Sequence, residues 1–246
     1  MKANSLILLG LLLFCLSGCQ DDSGRTIRIG IEEYNTEEQK VIGDELHRYI
    51  HSAGFDQAIL PRQNNSGQYI YVESIFQTAI TNRTLQTMDV FDWTIDILND
   101  DSQQTAFALP GGHIYIYTGL LKKLDTESEL FYILTHEIAY SDLGIVAPFL
   151  GSIHGHSEMG DIYLNNGHGE YEEMVETLHK SPYEFNQVIK ADEFQAILFC
   201  ENNFNFNSLA LMALIEKGED TWEWFKTRPN YNDRKERYSE ILDACE

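Results

Sequence analysis

The segment that starts at Thr126 carries the sequence pattern of a helix from its first turn onward. Thr126 followed three residues later by Glu129 is a capping box, in which two side chains satisfy backbone N–H groups at the start of a helix. The apolar residues that follow recur at helical spacing and form one face: Leu130, Ile133, Leu134 and Ile138. His136, Glu137 and Tyr140 lie on the same helix, and His136 and Tyr140 are one turn apart. We therefore predict a core helix that carries polar side chains.

Three strands are predicted ahead of this helix. Residues 93–98, 106–109 and 113–117 are short apolar or alternating runs, and polar residues separate the first two. Residues 110–112 read Pro-Gly-Gly, which is turn chemistry between the second and third strands. We predict an α+β fold, a mostly helical domain with a small antiparallel sheet packed beside the capped helix.

Apolar residues at helical spacing predict further helices on both sides of this region. The stretch from Gly144 to Gly169 contains six glycines and is expected to be irregular or partly helical. The other predicted helices cover residues 36–53, 69–82, 171–178, 185–199, 208–217 and a last run that ends at 242. No internal repeat or low-complexity segment interrupts the chain, so we predict one domain.

The charge balance excludes one class of partner. Seventeen basic residues against 39 acidic residues give a net charge of -22, while the hydrophobic content of 43% is that of a folded globule. A surface with this charge repels phosphate backbones, so nucleic acid is not expected as a partner.

The N-terminus reads as a lipoprotein signal. Lys2 precedes an apolar core, residues 6–16, that is too short to span a bilayer, and Ser17 and Gly18 come directly before Cys19. We predict a signal peptide at 1–18, a lipid-modified Cys19 with a polar tether at 19–24, and one domain at 25–246. The alternative is a buried thiol behind an ordinary signal peptide.

This signal predicts where the protein is located. A lipid-modified Cys19 would attach the chain to a membrane of the bacterial cell envelope. Gln20, rather than aspartate, follows the cysteine, which resembles the outer-membrane sorting rule of enteric bacteria and favours the outer membrane over the inner one. In such an oxidising compartment Cys200 and Cys245 either pair or remain two separate thiols.

A family resemblance rests on a continuous stretch from Tyr69 to Asp142. Residues 106–115 read AFALPGGHIY, residues 118–121 read TGLL, and residues 135–139 read THEIA. In this order the segments resemble the gluzincin-type zinc metallopeptidases that include HtpX, BepA and the CAAX prenyl protease. A weaker C-terminal part of the chain also resembles this family.

The resemblance implies a zinc site built on an HExxH helix. There, two histidines four residues apart bind zinc, and the glutamate after the first one takes a proton from the metal-bound water. His136 matches the first metal ligand and Glu137 the catalytic base, whereas Tyr140 occupies the second ligand position. A phenol with an ordinary pKa of about 10 is a poor zinc ligand at neutral pH.

The family's third ligand and its surroundings also differ here. The family places the third ligand, a glutamate, four residues before an aspartate that orients a histidine ligand. The best match puts Val188 at the ligand position and Asp192 at the orienting position. Thr227-Arg228-Pro229 resembles the family's Thr-His-Pro segment, with Arg228 replacing the histidine, and Arg234 follows.

These substitutions leave three alternatives open. One is a pseudoenzyme with an impaired metal site and no bound metal, which holds a peptide or an envelope protein in the family's cleft as a binder or assembly factor. The alternative is an active zinc metalloendopeptidase with unorthodox ligands, for which the candidates are His154, His156, His168, Glu184 and Glu193. A third, weaker possibility is an envelope lipoprotein whose cleft has no role.

Cys19→Ser should abolish lipid attachment, because the acyl chains would have no thiol to modify. We expect the variant to lose incorporation of labelled palmitate in cells and to keep its precursor size on a gel. Cys15→Ser changes a cysteine inside the cleaved segment and should label and mature like the parent chain. Full labelling of the Cys19→Ser chain would contradict the anchor.

Overall fold

The computed structural model describes residues 19–20, 26–27, 34–52, 55, 58–164, 170–202 and 222–228, and the single positions 214, 217, 218, 234, 236, 238 and 240. The whole predicted signal peptide (1–18), His168 and Cys245 lie outside these residues. The statements below concern the described residues alone.

Helices dominate the described chain, as the α+β prediction requires. They are α1 (Thr36–Ile50), α2 (Ser66–Ile80), α3 (Thr118–Leu121), α4 (Glu127–Asp142), α5 (Val146–His154), α6 (His156–Tyr163), α7 (Tyr171–Lys180), α8 (Phe185–Asn202) and α9 (Glu223–Lys226). The stretch after residue 144 is more regular than its glycines indicate, because Gly155, with φ +100°, merely separates α5 from α6.

The main sheet has three strands in the order β3-β5-β4. They are β3 (Thr94–Leu98), β4 (Ala106–Ala108) and β5 (His113–Tyr117). A two-stranded pair, β1 (Cys19–Gln20) with β2 (Thr26–Ile27), precedes them.

The main sheet is mixed, not purely antiparallel as predicted. The turn at residues 110–112 folds β5 back against β4, so these two strands are antiparallel. The strand β3 runs opposite to β4 and pairs with the far edge of β5, which makes β3 and β5 parallel. The alternation of residues predicted each strand, but it carries no information on which edge a strand joins.

The predicted capping box starts α4. The Thr126 hydroxyl accepts a hydrogen bond from the Glu129 backbone N–H, and the Glu129 carboxylate accepts one from the Thr126 N–H. At the other end, Ser141 Oγ accepts from the Gly112 N–H at 2.9 Å and donates to the Leu109 carbonyl at 3.1 Å. These contacts fix α4 against the turn between β4 and β5.

A close approach of backbone to backbone holds α1 on the same turn. A Cβ atom at Gly43 would lie 1.8 Å from the Pro110 carbonyl oxygen, so only glycine fits there. Gly111, with φ +79°, adopts the left-handed conformation that the turn requires. The turn at 110–112 therefore joins α1, α4 and the sheet.

The edge strand β4 is covered on its outer side. Ala106, Phe107 and Ala108 are 0% exposed. The helix α7 packs against β4, and the Trp224 N–H of α9 donates to the Gln104 carbonyl at 3.2 Å. Within the described residues, β4 is therefore shielded from solvent.

Two further sequence expectations concern the ends of the chain. Cys200 is disulfide-bonded, and Cys245, for which pairing with Cys200 was one of two alternatives, lies outside the described residues. Within the described part of the chain, no helix has the length and apolar character needed to cross a bilayer.

Candidate functional site

The polar side chains of α4 lie in the protein core. His136, Glu137 and Tyr140 are each 0% exposed, so bulk solvent does not reach them. The helix places them there because its apolar neighbours pack against β4, α2 and α8 on all sides. A buried polar side chain needs a partner, and the partners of these three define the site.

Asp192 and Arg234 flank His136. His136 Nδ1 lies 3.2 Å from Asp192 Oδ1, a distance that orients the imidazole ring although the alignment falls short of a hydrogen bond. Arg234 donates to both oxygens of Asp192, from Nε at 2.7 Å and from Nη2 at 2.9 Å. The predicted orienting role of Asp192 therefore has a geometric basis, and its principal partner is an arginine.

Tyr140 takes part in an aromatic stack. Its ring lies parallel to that of Tyr183 with centroids 4.2 Å apart, and Tyr183 stacks in turn on Phe149 at 4.1 Å. The edge-on ring of His136 lies 4.7 Å from Tyr140. Burial raises the pKa of Tyr140 well above its ordinary value, so the phenol stays protonated at neutral pH.

Arg228 enters the core beside Glu137. Its Nη2 donates to Glu137 Oε1, which also accepts from Trp224 Nε1 at 2.7 Å. The guanidinium lies 4.4 Å from the centroid of the Trp224 ring and 5.4 Å from that of Tyr140, so aromatic faces surround the cation. Arg228 is 1% exposed, and the pair is therefore a buried ion pair.

The pKa values follow from this burial. Burial raises the pKa of Glu137, and the Arg228 guanidinium and the Trp224 N–H oppose this rise. Burial lowers the pKa of His136 to about 4 against the opposing effect of Asp192, so the imidazole is neutral at pH 7. Burial alone would raise the pKa of Asp192, but the Arg234 pair holds it at about 2.

The donor set can be compared with the needs of a zinc ion. A catalytic zinc takes three protein ligands, from nitrogen, sulfur or carboxylate oxygen. His136 Nε2 is buried and has no hydrogen-bond partner among the described residues, which suits a ligand atom. At the other two positions, Tyr140 offers a protonated phenol and Val188, 0% exposed on α8, offers no donor. This set does not fit the ion.

The candidate replacement ligands have partners elsewhere. His154 Nε2 lies 2.8 Å from Thr177 Oγ1, and His156 Nδ1 lies 2.7 Å from Tyr34 Oη. Glu184 is exposed and precedes α8, Glu193 is half-buried on it, and His168 is outside the described residues. Within those residues, two groups of three side chains have ligand atoms close enough together to hold a metal ion. One is His47, His51 and Asp96, and the other is His154, Glu170 and Glu173.

Sequence reasoning missed several parts of this arrangement. Trp224 precedes Arg228 by four residues, a spacing that could have indicated that the two side chains lie on the same side of a helical turn. Nothing in the sequence indicates that Tyr183 stacks on Tyr140. His47 and His51 repeat the four-residue spacing of a helical metal site and were readable from the sequence.

Comparisons with known proteins agree with the placement of α4. Residues 68–142 match the family model described as Peptidase family M48. The mitochondrial metalloendopeptidase OMA1 of Bos taurus is 21% identical over 196 residues, covering 71% of this chain and 37% of its own length. The human OMA1 is 30% identical over 98 residues, covering 39% and 18% respectively. The chain thus spans well under half the length of these curated relatives.

Breaking the Arg228–Glu137 pair on one side should be costly. Arg228→Met leaves a buried carboxylate without its cation, and we expect a loss of about 3–5 kcal/mol in the free energy of unfolding. The double variant Arg228→Met with Glu137→Gln removes both charges and should lose clearly less than the sum of the two single changes. Urea denaturation measures all three.

Lys180→Met is the matched control. It removes one side of an exposed ion pair with Glu176 and should leave the unfolding midpoint nearly unchanged. Strictly additive losses at Arg228 and Glu137 would show that the two side chains are not energetically coupled.

Proposed function

We propose that this chain, which belongs to peptidase family M48 through residues 68–142, no longer hydrolyses peptides and acts as a lipid-anchored binding or assembly factor. Members of the family are zinc metallopeptidases. The proposal keeps the family's fold and assigns its former catalytic centre a structural role.

The buried Arg228–Glu137 pair is the observation that carries the proposal. In an HExxH enzyme the glutamate needs a water molecule that a metal ion has made acidic. Here the Glu137 carboxylate accepts hydrogen bonds from the Trp224 indole and the Arg228 guanidinium instead. A fixed protein cation thus neutralises the carboxylate that the reaction would need as a base.

The proposed site also has no route for a substrate. His136, Glu137 and Tyr140 are 0% exposed, and β4, which would hold an extended peptide, is buried and packs against α7. Peptide hydrolysis would therefore require the described α9 segment to leave the core. That movement would expose Trp224, which is 0% exposed and hydrogen-bonded to Glu137.

A groove outside the aromatic stack is a better place for a partner. It has a volume of about 630 Å³, and its walls are apolar and polar residues: Pro148, Phe149, Gly151, Ser152, Ile153, His156, Pro182, Glu184 and Gln187. Phe149 and Tyr183 separate it from Tyr140. Ile153, which lines it, is 49% exposed, so the groove presents an apolar side chain to solvent. We assign this groove to an apolar segment of an envelope protein.

The location completes the proposal. Lipid-modified Cys19 would tether the domain to a membrane of the cell envelope, with the outer membrane favoured by Gln20. The net charge of -22 argues against nucleic acid as a second partner.

The wild-type chain should hold no zinc that depends on His136. We expect the full chain and its His136→Ala variant to retain the same amount of metal after purification, measured by mass spectrometry of the metal. Neither should cleave denatured casein in the presence of added zinc. Zinc lost on His136→Ala, or cleavage lost on Glu137→Gln, would overturn the proposal in favour of an active endopeptidase.

A variant with rebuilt ligands tests the same reasoning in the other direction. Tyr140→His, Val188→Glu and Arg228→His together restore the family's residues at all three altered positions. If this variant folds, it should gain zinc that His136→Ala removes. If it does not fold, the comparison between the wild-type chain and His136→Ala still decides.

The groove makes a separate prediction. A photo-crosslinking amino acid at position 153 should capture an envelope protein in living cells, and Ile153→Asp should reduce capture by a crosslinker placed at position 187. Position 197 is the control, because Ile197 on α8 is similarly exposed, at 42%, but does not line the groove. Equal capture from 153 and 197 would count against the groove.

A further inference from the structure

A second group of histidines lies on α1, away from the α4 site. His47 is one helical turn before His51, which caps the end of the helix, so both side chains project from the same face. Asp96 on β3 faces them. One nitrogen of each histidine and one oxygen of Asp96 lie within 4.8 Å of one another.

The spacing of these atoms is close to that of a coordination sphere. Zinc lies about 2.0–2.2 Å from nitrogen and oxygen ligands, so two ligands at tetrahedral corners are about 3.3 Å apart. His51 Nε2 and Asp96 Oδ2 are already 3.0 Å apart, and the ring centroids of His47 and His51 are separated by 4.3 Å. A metal ion would need only small side-chain adjustments to contact all three.

The protonation and orientation of His47 suit a ligand. Tyr115 Oη lies 2.7 Å from His47 Nδ1, which fixes the ring and leaves Nε2 for another partner. Burial, together with the neighbouring His113 and His51, lowers the pKa of His47 to about 4. The imidazole is therefore neutral at pH 7, which is the form that binds metal.

The neighbouring groups support this role in different ways. His113 stacks on His47 with ring centroids 4.1 Å apart, and its own two nitrogens contact Asp44 and Thr94, so it supports the His47 ring. Arg62 Nη2 lies 3.3 Å from Asp96 Oδ1, which leaves Oδ2 for a metal. The positive charge of Arg62 disfavours a cation, but this arginine is also paired with Glu73, which offsets the effect.

The site is open to solvent and lies on an acidic protein. The His51 side chain is 40% exposed, so an ion can enter from solvent and water can fill a fourth coordination position. The net charge of -22 raises the local concentration of cations at the surface.

We propose that His47, His51 and Asp96 form a binding site for a divalent transition-metal ion of the zinc class. Two imidazoles and one carboxylate are a ligand set that zinc accepts, whereas calcium and magnesium prefer oxygen ligands alone. The bound ion would join the end of α1 to β3 and stabilise the folded chain by mass action.

The test uses the full chain, freed of metal with a chelator and titrated with zinc by equilibrium dialysis. We expect one zinc per chain and a rise in melting temperature with zinc. His51→Ala and Asp96→Asn should each weaken zinc binding at least about 100-fold, since losing a metal ligand costs more than losing a residue that only contacts a ligand. Cobalt(II) should give the visible absorption of a four-coordinate site, which the same variants remove.

Three further variants assign the ion. His156→Ala is a control at a histidine that belongs to neither group of potential ligands in the described chain, and it should bind zinc like the parent. His136→Ala and His154→Ala should do the same. No zinc uptake by the parent chain, or uptake unchanged in His51→Ala, would overturn this inference. Zinc lost in His136→Ala alone would overturn both this inference and the proposed loss of hydrolysis.

Discussion

The ion pair between Arg228 and Glu137 is the constraint on which the centre of this protein depends. Each charge is excluded from water, and each would carry a large desolvation penalty without the other. The pair joins α4 to the segment after α9, and the Arg234 Nη1–H donates to the Arg228 carbonyl at 2.8 Å, so Asp192 on α8 is joined to the same network. Three elements distant in sequence thus meet at one buried network of alternating charges.

Under the proposed loss of hydrolysis, the network accounts for three substitutions at once. Tyr140 and Val188 stand where the family has two zinc ligands, and Arg228 supplies a cation to Glu137. If a metal ion were bound by two histidine ligands beside Arg228, its positive charge would lie next to the guanidinium in a dry core, which is unfavourable. An apolar or aromatic side chain at the ligand positions relieves this conflict. In the proposed function, the three positions would therefore act together, with a guanidinium group in place of a metal ion.

Much of this arrangement was predictable from local sequence. The capping box at Thr126, the strands and the Pro-Gly-Gly turn follow from short patterns, whose causes lie within a few residues of each other. The position of Asp192 near His136 was implied by the family resemblance instead. The parallel pairing of β3 with β5 and the burial of Arg228 do not. They depend on which distant elements pack together, and an arginine near a chain terminus is ordinarily solvated. The hydrogen bond from α9 to the Gln104 carbonyl escaped prediction for the same reason.

The position of α1 in the chain sets a mechanical limit. Residues 19–35 connect Cys19 to α1, which starts at Thr36. A fully extended chain of this length reaches about 60 Å. The antiparallel pairing of residues 19–20 with 26–27 folds part of that length back on itself. An acyl group on Cys19 would therefore keep the domain within a short distance of the membrane. The domain could then contact only molecules close to the same lipid surface.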